Sequence, residues 1–202
     1  MAKNSNKKVI VLGVCGKPSS GKSEVLNVLN EIDWLTIDSD KVVHDLYKAD
    51  CGGQRKIADF FGEEFLRKDG SVNRVKLRKV VFKDPKKLVI LNKLIHPLVL
   101  SEIRSMVDGY AKGGGEKVAI EAISFDEKLL GSLVGDILYV ERPHDRIVDF
   151  LQKGRGLSQE LIDGLLGSFE EPSRKDYVID NDSTLKDLKE KVIIALEKLT
   201  SN

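Results

Sequence analysis

The chain has 202 residues, with Lys plus Arg at 33 and Asp plus Glu at 32, so its formal net charge is +1. That length fits one ordinary domain with room for a small insertion, and the balanced charge removes the electrostatic argument for a dedicated nucleic-acid or membrane-surface binder. Hydrophobic residues make up 41% but aromatics only 6%, so the core has to be built mainly from Val, Ile and Leu.

Met1 to Lys8 is polar and basic. It lacks the long apolar core of a secretory signal and reads as a disordered lead-in. Val9 to Leu12 follows as a continuous apolar run of the buried parallel-strand type. Leu35-Thr36-Ile37, Val118-Ala119-Ile120, Ile137-Leu138-Tyr139-Val140 and Tyr177-Val178-Ile179 are four more such runs. Each ends near an acid: Asp38, Glu121, Glu141 and Asp180. Helical periodicity occupies about 22–31, 40–49, 53–61, 74–82, 85–111, 143–153, 158–168 and 184–199. Strands alternating with helices mean an α/β domain with a parallel sheet. Residues 41 to about 112 hold far more helix than one crossover needs, so they are expected to form a helical subdomain, closed by the Gly113-Gly114-Gly115 loop. No apolar run approaches the ~18 residues a membrane span needs. Cys15 and Cys51 make no disulfide framework, which points to a reducing compartment and a cytoplasmic protein.

The most specific local signal is Gly16-Lys17-Pro18-Ser19-Ser20-Gly21-Lys22-Ser23. It fits G-x-x-x-x-G-K-[ST] and lies between a buried strand and a helical stretch, the setting the motif requires. Its glycines permit backbone conformations and close approaches that a side chain blocks. Successive backbone N–H groups then converge on phosphate oxygens, helped by the helix N-terminus. Lys22 is expected to reach the β- and γ-phosphates of a nucleoside triphosphate, and the Ser23 hydroxyl to ligate Mg²⁺. Lys17 is expected to be exposed, and Cys15 to be a small buried residue.

Asp38-Ser39-Asp40 places two carboxylates at the carboxyl end of the second strand, the edge where open parallel sheets bind ligands. One acid can cap the next helix; the other can accept a proton or hold Mg²⁺ through water. His44 lies one helical turn after Asp40 and reads as a surface residue, as does His144. No Cys/His cluster has zinc spacing.

Together these stretches resemble the dephospho-CoA kinase family. The phosphate loop and the Asp38-Ser39-Asp40 turn match that family's loop and its D-x-D turn. Phe61-Gly62, Asp69-Gly70-Ser71-Val72-Asn73-Arg74, Leu77 and Val81-Phe82 match its helical subdomain, as does Leu91-Asn92-Lys93-Leu94-Ile95-His96-Pro97. Val178-Ile179-Asp180-Asn181 matches its last strand and turn. The resemblance covers nearly the whole chain. It implies one P-loop kinase domain: a five-stranded parallel sheet flanked by helices (core about 7–40 and 116–202), an acceptor subdomain about 41–112 and a lid about 143–170. It implies transfer of the ATP γ-phosphoryl to the 3′-hydroxyl of dephospho-CoA, with Mg²⁺ as cofactor. Asp40 would be the general base and Lys22 the other catalytic residue. Gly16, Lys17, Pro18, Ser19, Ser20, Gly21, Lys22, Ser23 and Arg155 would bind ATP, Ser23 the metal, and Asp40, Arg74, His96 and Glu121 the acceptor. For His96 a packing role before Pro97 is an equal alternative, because proline disfavours helix at the preceding residue. A monomer or small homo-oligomer is expected, with no nucleic-acid or membrane partner.

Two stretches depart from the family pattern. Ile120-Glu121-Ala122-Ile123-Ser124-Phe125 stands where a proline-leucine-leucine run is usual; Glu121 there could orient metal-bound water or contact the acceptor. In the lid an arginine site reads Asp149, which leaves Lys153 and Arg155 as local candidates. The usual glutamine in 167–175 is missing, with Arg174 as a possible substitute. These departures keep two alternatives open: a kinase for another small acceptor, such as a nucleotide or nucleoside, or a nucleotide-binding module with a degenerate lid.

Overall fold

A computed structural model describes residues 9–122, 131 and 133–200. The expected lead-in Met1 to Lys8 and the segment Ile123-Ser124-Phe125 lie outside the described residues. By contact density the chain divides into two units, Met1–Ile37 with Tyr110–Asn202, and Asp38–Gly109.

The first unit is built on a sheet. Its strands are β1 (Ile10–Cys15), β2 (Leu35–Asp38), β3 (Lys117–Glu121), β4 (Asp136–Glu141) and β5 (Tyr177–Asp180), in the order β2-β3-β1-β4-β5. β1 pairs in parallel with β3 and β4, and β4 with β5. β1 is the central strand, and every residue after Ile10 is buried. A strand covered on both faces has no polar side, which is why Val11, Leu12, Val14 and Cys15 read as a run rather than an alternation. Leu12 and Val14 pack with Ala119, Leu138, Val140 and Ile179 of the neighbouring strands. Against them lie Val25, Leu26, Val28 and Leu29 of α1 (Lys22–Glu31) and Leu188, Val192 and Leu196 of α8 (Leu185–Thr200). α8 begins with reciprocal bonds: the Asp187 N–H donates to Thr184 Oγ1, and the Thr184 N–H donates to Asp187 Oδ2.

In the second unit, α2 (Ser39–Leu46), α3 (Gly52–Phe61), a one-turn 3₁₀ segment (Glu63–Phe65), α4 (Arg74–Val81) and α5 (Pro85–Lys112) follow in order. Asn73 caps α4 by accepting from the Lys76 N–H at 3.1 Å. Asp84 does the same for α5, with Pro85 at the first helical position, where its missing N–H costs nothing. Ile95, Val99, Ile103 and Val107 are buried at four-residue spacing along α5. Ile57, Phe65, Leu77 and Val81 are buried too.

The helix expected over about 85–111 is α5, which runs through His96 with Pro97 inside it, although proline disfavours helix at the preceding residue. The ring removes one backbone donor, but the buried stripe on either side carries the helix past the gap. The expected helix over about 143–153 differs. α6 (His144–Asp149) gives way to a wider π-type turn at Phe150–Gly154 before α7 (Gln159–Gly167). This widening leaves Phe150 41% exposed while Leu151 is fully buried with Ile147 and Ile162.

Candidate active site

Gly16 to Ser23 join β1 to α1. Three positions in the loop leave the ordinary right-handed backbone: Gly16 at φ 154°, Ser19 at 62° and Gly21 at 105°. At Gly16 a Cβ would come within 2.4 Å of the Val140 carbonyl oxygen, and at Gly21 within 2.2 Å of Asn181 Nδ2. Glycine is required at both by space as well as by dihedral angle.

The loop's carbonyls are bound on its outer side. Lys22 Nζ, 5% exposed, donates to the Gly16 carbonyl at 3.0 Å and the Lys17 carbonyl at 3.1 Å. Arg142 Nη1 donates to the Ser19 carbonyl at 3.0 Å, and Asn181 Nδ2 to the Ser20 carbonyl at 2.7 Å. The Ser20 N–H also donates to the Lys17 carbonyl at 3.1 Å; with these carbonyls occupied, the remaining backbone N–H groups of the loop can serve an anion, the arrangement of a phosphate nest. Ser20 is fully buried, and its Oγ has no hydrogen-bond partner among the described residues. Lys17 is half-buried, with its ammonium 3.7 Å from Glu171. Lys175 beside Glu171 holds that carboxyl below its usual range, opposed by desolvation. Cys15 is fully buried.

Glu121 sits on the other side of Lys22. Its Oε1 lies 4.0 Å from Lys22 Nζ, and its Oε2 accepts from Ser23 Oγ at 3.5 Å. Parallel register explains this: Glu121 pairs with Val14, two residues before Gly16. Sequence reasoning gave Glu121 two possible roles, orienting metal-bound water or contacting the acceptor; in the structure its neighbours are Ser23 and Lys22 of the phosphate loop. A hydroxyl and a carboxylate together suit Mg²⁺, a hard cation held by one or two protein oxygens plus substrate phosphates. Among the described residues no cluster of three or more His, Cys, Asp or Glu forms a dedicated metal cage.

Asp38 and Asp40 divide their tasks. Asp38 Oδ1 accepts from the Asp40 N–H at 2.9 Å and the Lys41 N–H at 3.3 Å, so Asp38 is the helix cap. Asp40, exposed in the first turn of α2, is not needed for capping. In the same unit Arg74 Nη1 lies 3.2 Å from His44 Nδ1. Arginine can only donate, so His44 Nδ1 is the acceptor in this contact. His44 had read as a surface residue on roughly the same side as Asp40; no sequence spacing links it to Arg74, which lies on another helix. His96 is half-buried within α5.

In the lid segment Lys153 forms an ion pair with Asp149. Arg155 is exposed, with its guanidinium 5.8 Å from the Phe150 ring centroid, and Arg142 lies 5.5 Å from the same centroid. Arg174 donates to the Gly135 carbonyl at 2.7 Å and pairs with Asp176 at 2.9 Å, immediately before β4 and β5 begin. That is the amino end of those strands, opposite the phosphate loop, so Arg174 does not replace a lid residue.

A parallel sheet with the loop after its central strand, a buried lysine on the loop and a carboxylate beside the following serine define a P-loop kinase of small molecules. Solved structures carry the same fold: a protein of Thermus thermophilus (TM-score 0.78, 24% identity, 96% of this chain and 99% of that one) and the dephospho-CoA kinase of Campylobacter jejuni (TM-score 0.67, 19% identity, 95% and 97%). The family model for dephospho-CoA kinase matches residues 10–187. Proteins named dephospho-CoA kinase from Carboxydothermus hydrogenoformans (30% identical, 93% of each chain) and Dehalococcoides mccartyi (33% identical, 94% of this chain and 98% of the other) align over almost their full lengths. The chain belongs to the dephospho-CoA kinase family.

Proposed function

We propose that this chain transfers the γ-phosphoryl group of ATP to the 3′-hydroxyl of dephospho-coenzyme A, giving coenzyme A and ADP. One observation carries the reading: the family match spans residues 10–187 and so includes the helical unit as well as the phosphate loop. A shared nucleotide loop alone would leave the acceptor open.

The loop from Gly16 to Ser23, with Lys17, Pro18, Ser19 and Ser20 between the glycines, binds the ATP phosphates through its available backbone N–H groups; Pro18 has none and shapes the turn instead. Lys22 neutralises charge that develops on the transferring group. Ser23 Oγ would hold Mg²⁺ directly and Glu121 through water; bound there, the ion neutralises phosphate charge. Asp40 accepts the proton of the acceptor hydroxyl. The new bond forms between that oxygen and the γ-phosphorus, and the bond from the γ-phosphorus to the β–γ bridging oxygen breaks, releasing ADP. The 38–109 unit, with Arg74 and His96, binds dephospho-CoA, and the segment from α6 to α7 is the lid, presenting Arg155 to the phosphates. Both cysteines are free thiols, which fits a reducing compartment, and we assign the protein to the cytoplasm.

The test is ADP release with ATP, Mg²⁺ and dephospho-CoA. Asp40→Asn should bind ATP normally and lose about 10²- to 10⁴-fold in kcat. Absence of acceptor-dependent ADP release from the wild type would sink the function; wild-type kcat in Asp40→Asn would remove Asp40 as the base.

A further inference from the structure

Three side chains donate to carbonyls of the phosphate loop, and two of them lie outside the loop motif. Lys22 belongs to the motif, and Asn181 follows β5. Arg142, immediately after β4, is half-buried and reaches across 123 positions of sequence to the Ser19 carbonyl at 3.0 Å. Ser19 stands at φ 62°, a left-handed conformation that residues other than glycine adopt only at a cost. An external donor on its carbonyl holds that conformation. The Arg142 guanidinium also lies over the ring of Phe150, in the turn that leads to Arg155, within the range of a cation–π contact.

We propose that Arg142 is a positioning residue for ATP: it fixes Ser19 so that the loop amides converge on the phosphates, and it ties the loop to the lid through Phe150. Arginine suits both tasks. Its planar fork donates along one edge while its face lies on an aromatic ring, a combination a lysine ammonium does not reproduce. The proposal rests on the phosphate loop being the ATP site.

Steady-state kinetics of the full chain separate the two ideas. Arg142→Ala should raise the KM for ATP about tenfold, the scale of one charge-assisted hydrogen bond, and leave the KM for dephospho-CoA unchanged. Arg142→Lys keeps the charge and one donor and should fall between Arg142→Ala and wild type. Added guanidinium ion should restore part of the ATP affinity of Arg142→Ala and do nothing for wild type. Phe150→Leu should raise the KM for ATP less than Arg142→Ala does. An unchanged KM for ATP in Arg142→Ala, or equal rises in both KM values, overturns the proposal while the ATP site stands. Loss of ATP-dependent turnover in the wild type would instead overturn the reading beneath it.

Discussion

Replacing Gly21 by alanine sets two steric problems at one position. The backbone there is at φ 105°, outside the region open to residues with a Cβ, and holding it there costs about 1–3 kcal/mol. The new Cβ would lie 2.2 Å from Asn181 Nδ2, so the amide must leave the Ser20 carbonyl it now meets at 2.7 Å. Losing that partly buried bond adds about 1 kcal/mol. Gly21→Ala should therefore destabilise the fold by about 2–4 kcal/mol, read as a lower midpoint in urea unfolding at constant slope. The stabilisation normally gained from ATP should shrink as well, because the loop conformation is what binds it. Asn181→Ala alone should cost about 1 kcal/mol. In the double variant the obstructing amide is gone and the bond is lost only once. Its cost should then fall below the sum of the two single costs by about 1 kcal/mol or more. Strict additivity, or a Gly21→Ala midpoint equal to wild type, would refute the account of this contact.

Glu121→Gln removes the carboxylate beside Ser23 and should raise the Mg²⁺ concentration for half-maximal rate by about 10-fold or more; an unchanged Mg²⁺ titration would take Glu121 out of the metal's surroundings. Burial pushes the Tyr47 phenol up to about 12, opposed by nearby Arg74, and burial together with Glu171 pushes Tyr139 up too. A folded pKa above the unfolded value means that the unfolded chain releases its proton first. The stability due to Tyr47 is thus present below about pH 10 and lost between pH 10 and 12, by about 2–3 kcal/mol. Tyr47→Phe should flatten the alkaline decline measured by chemical unfolding, and an identical decline in the variant would refute this. Ile57, fully buried in the helical unit, should cost about 2–5 kcal/mol on replacement by alanine, seen as a lower urea midpoint.

Most of the elements were legible in the sequence because their causes are local. The apolar run of β1 followed by Gly16 and Gly21 announces strand, loop and helix within fifteen residues of chain, and the four-residue stripe of α5 shows its buried face. The helix over 85–111 was legible through Pro97 because the stripe of Ile95, Val99 and Ile103 outweighs the local steric preference against helix at His96. The widened turn after α6 was not legible: burial of Leu151 against Ile162 decides it, and Ile162 lies on another helix.

The site divides along the same line. The loop motif was legible in the sequence alone, since Lys22, Ser23 and the two glycines lie only a few residues apart. Residue type alone left Asp38 and Asp40 equivalent, and only the family resemblance pointed to Asp40 as the base; the hydrogen bonds that make Asp38 the cap depend on where α2 begins. Only the tertiary structure decided what surrounds the loop. Glu121 reaches Ser23 from 98 positions away, Arg142 reaches Ser19 from 123, and Asn181 reaches Ser20 from 161. These residues meet because the strand order places β3 and β4 on either side of β1, with β5 beyond β4, and because parallel register brings their carboxyl ends to one edge. Strand order and register are properties of pairing between distant segments, so no local pattern along the chain encodes them.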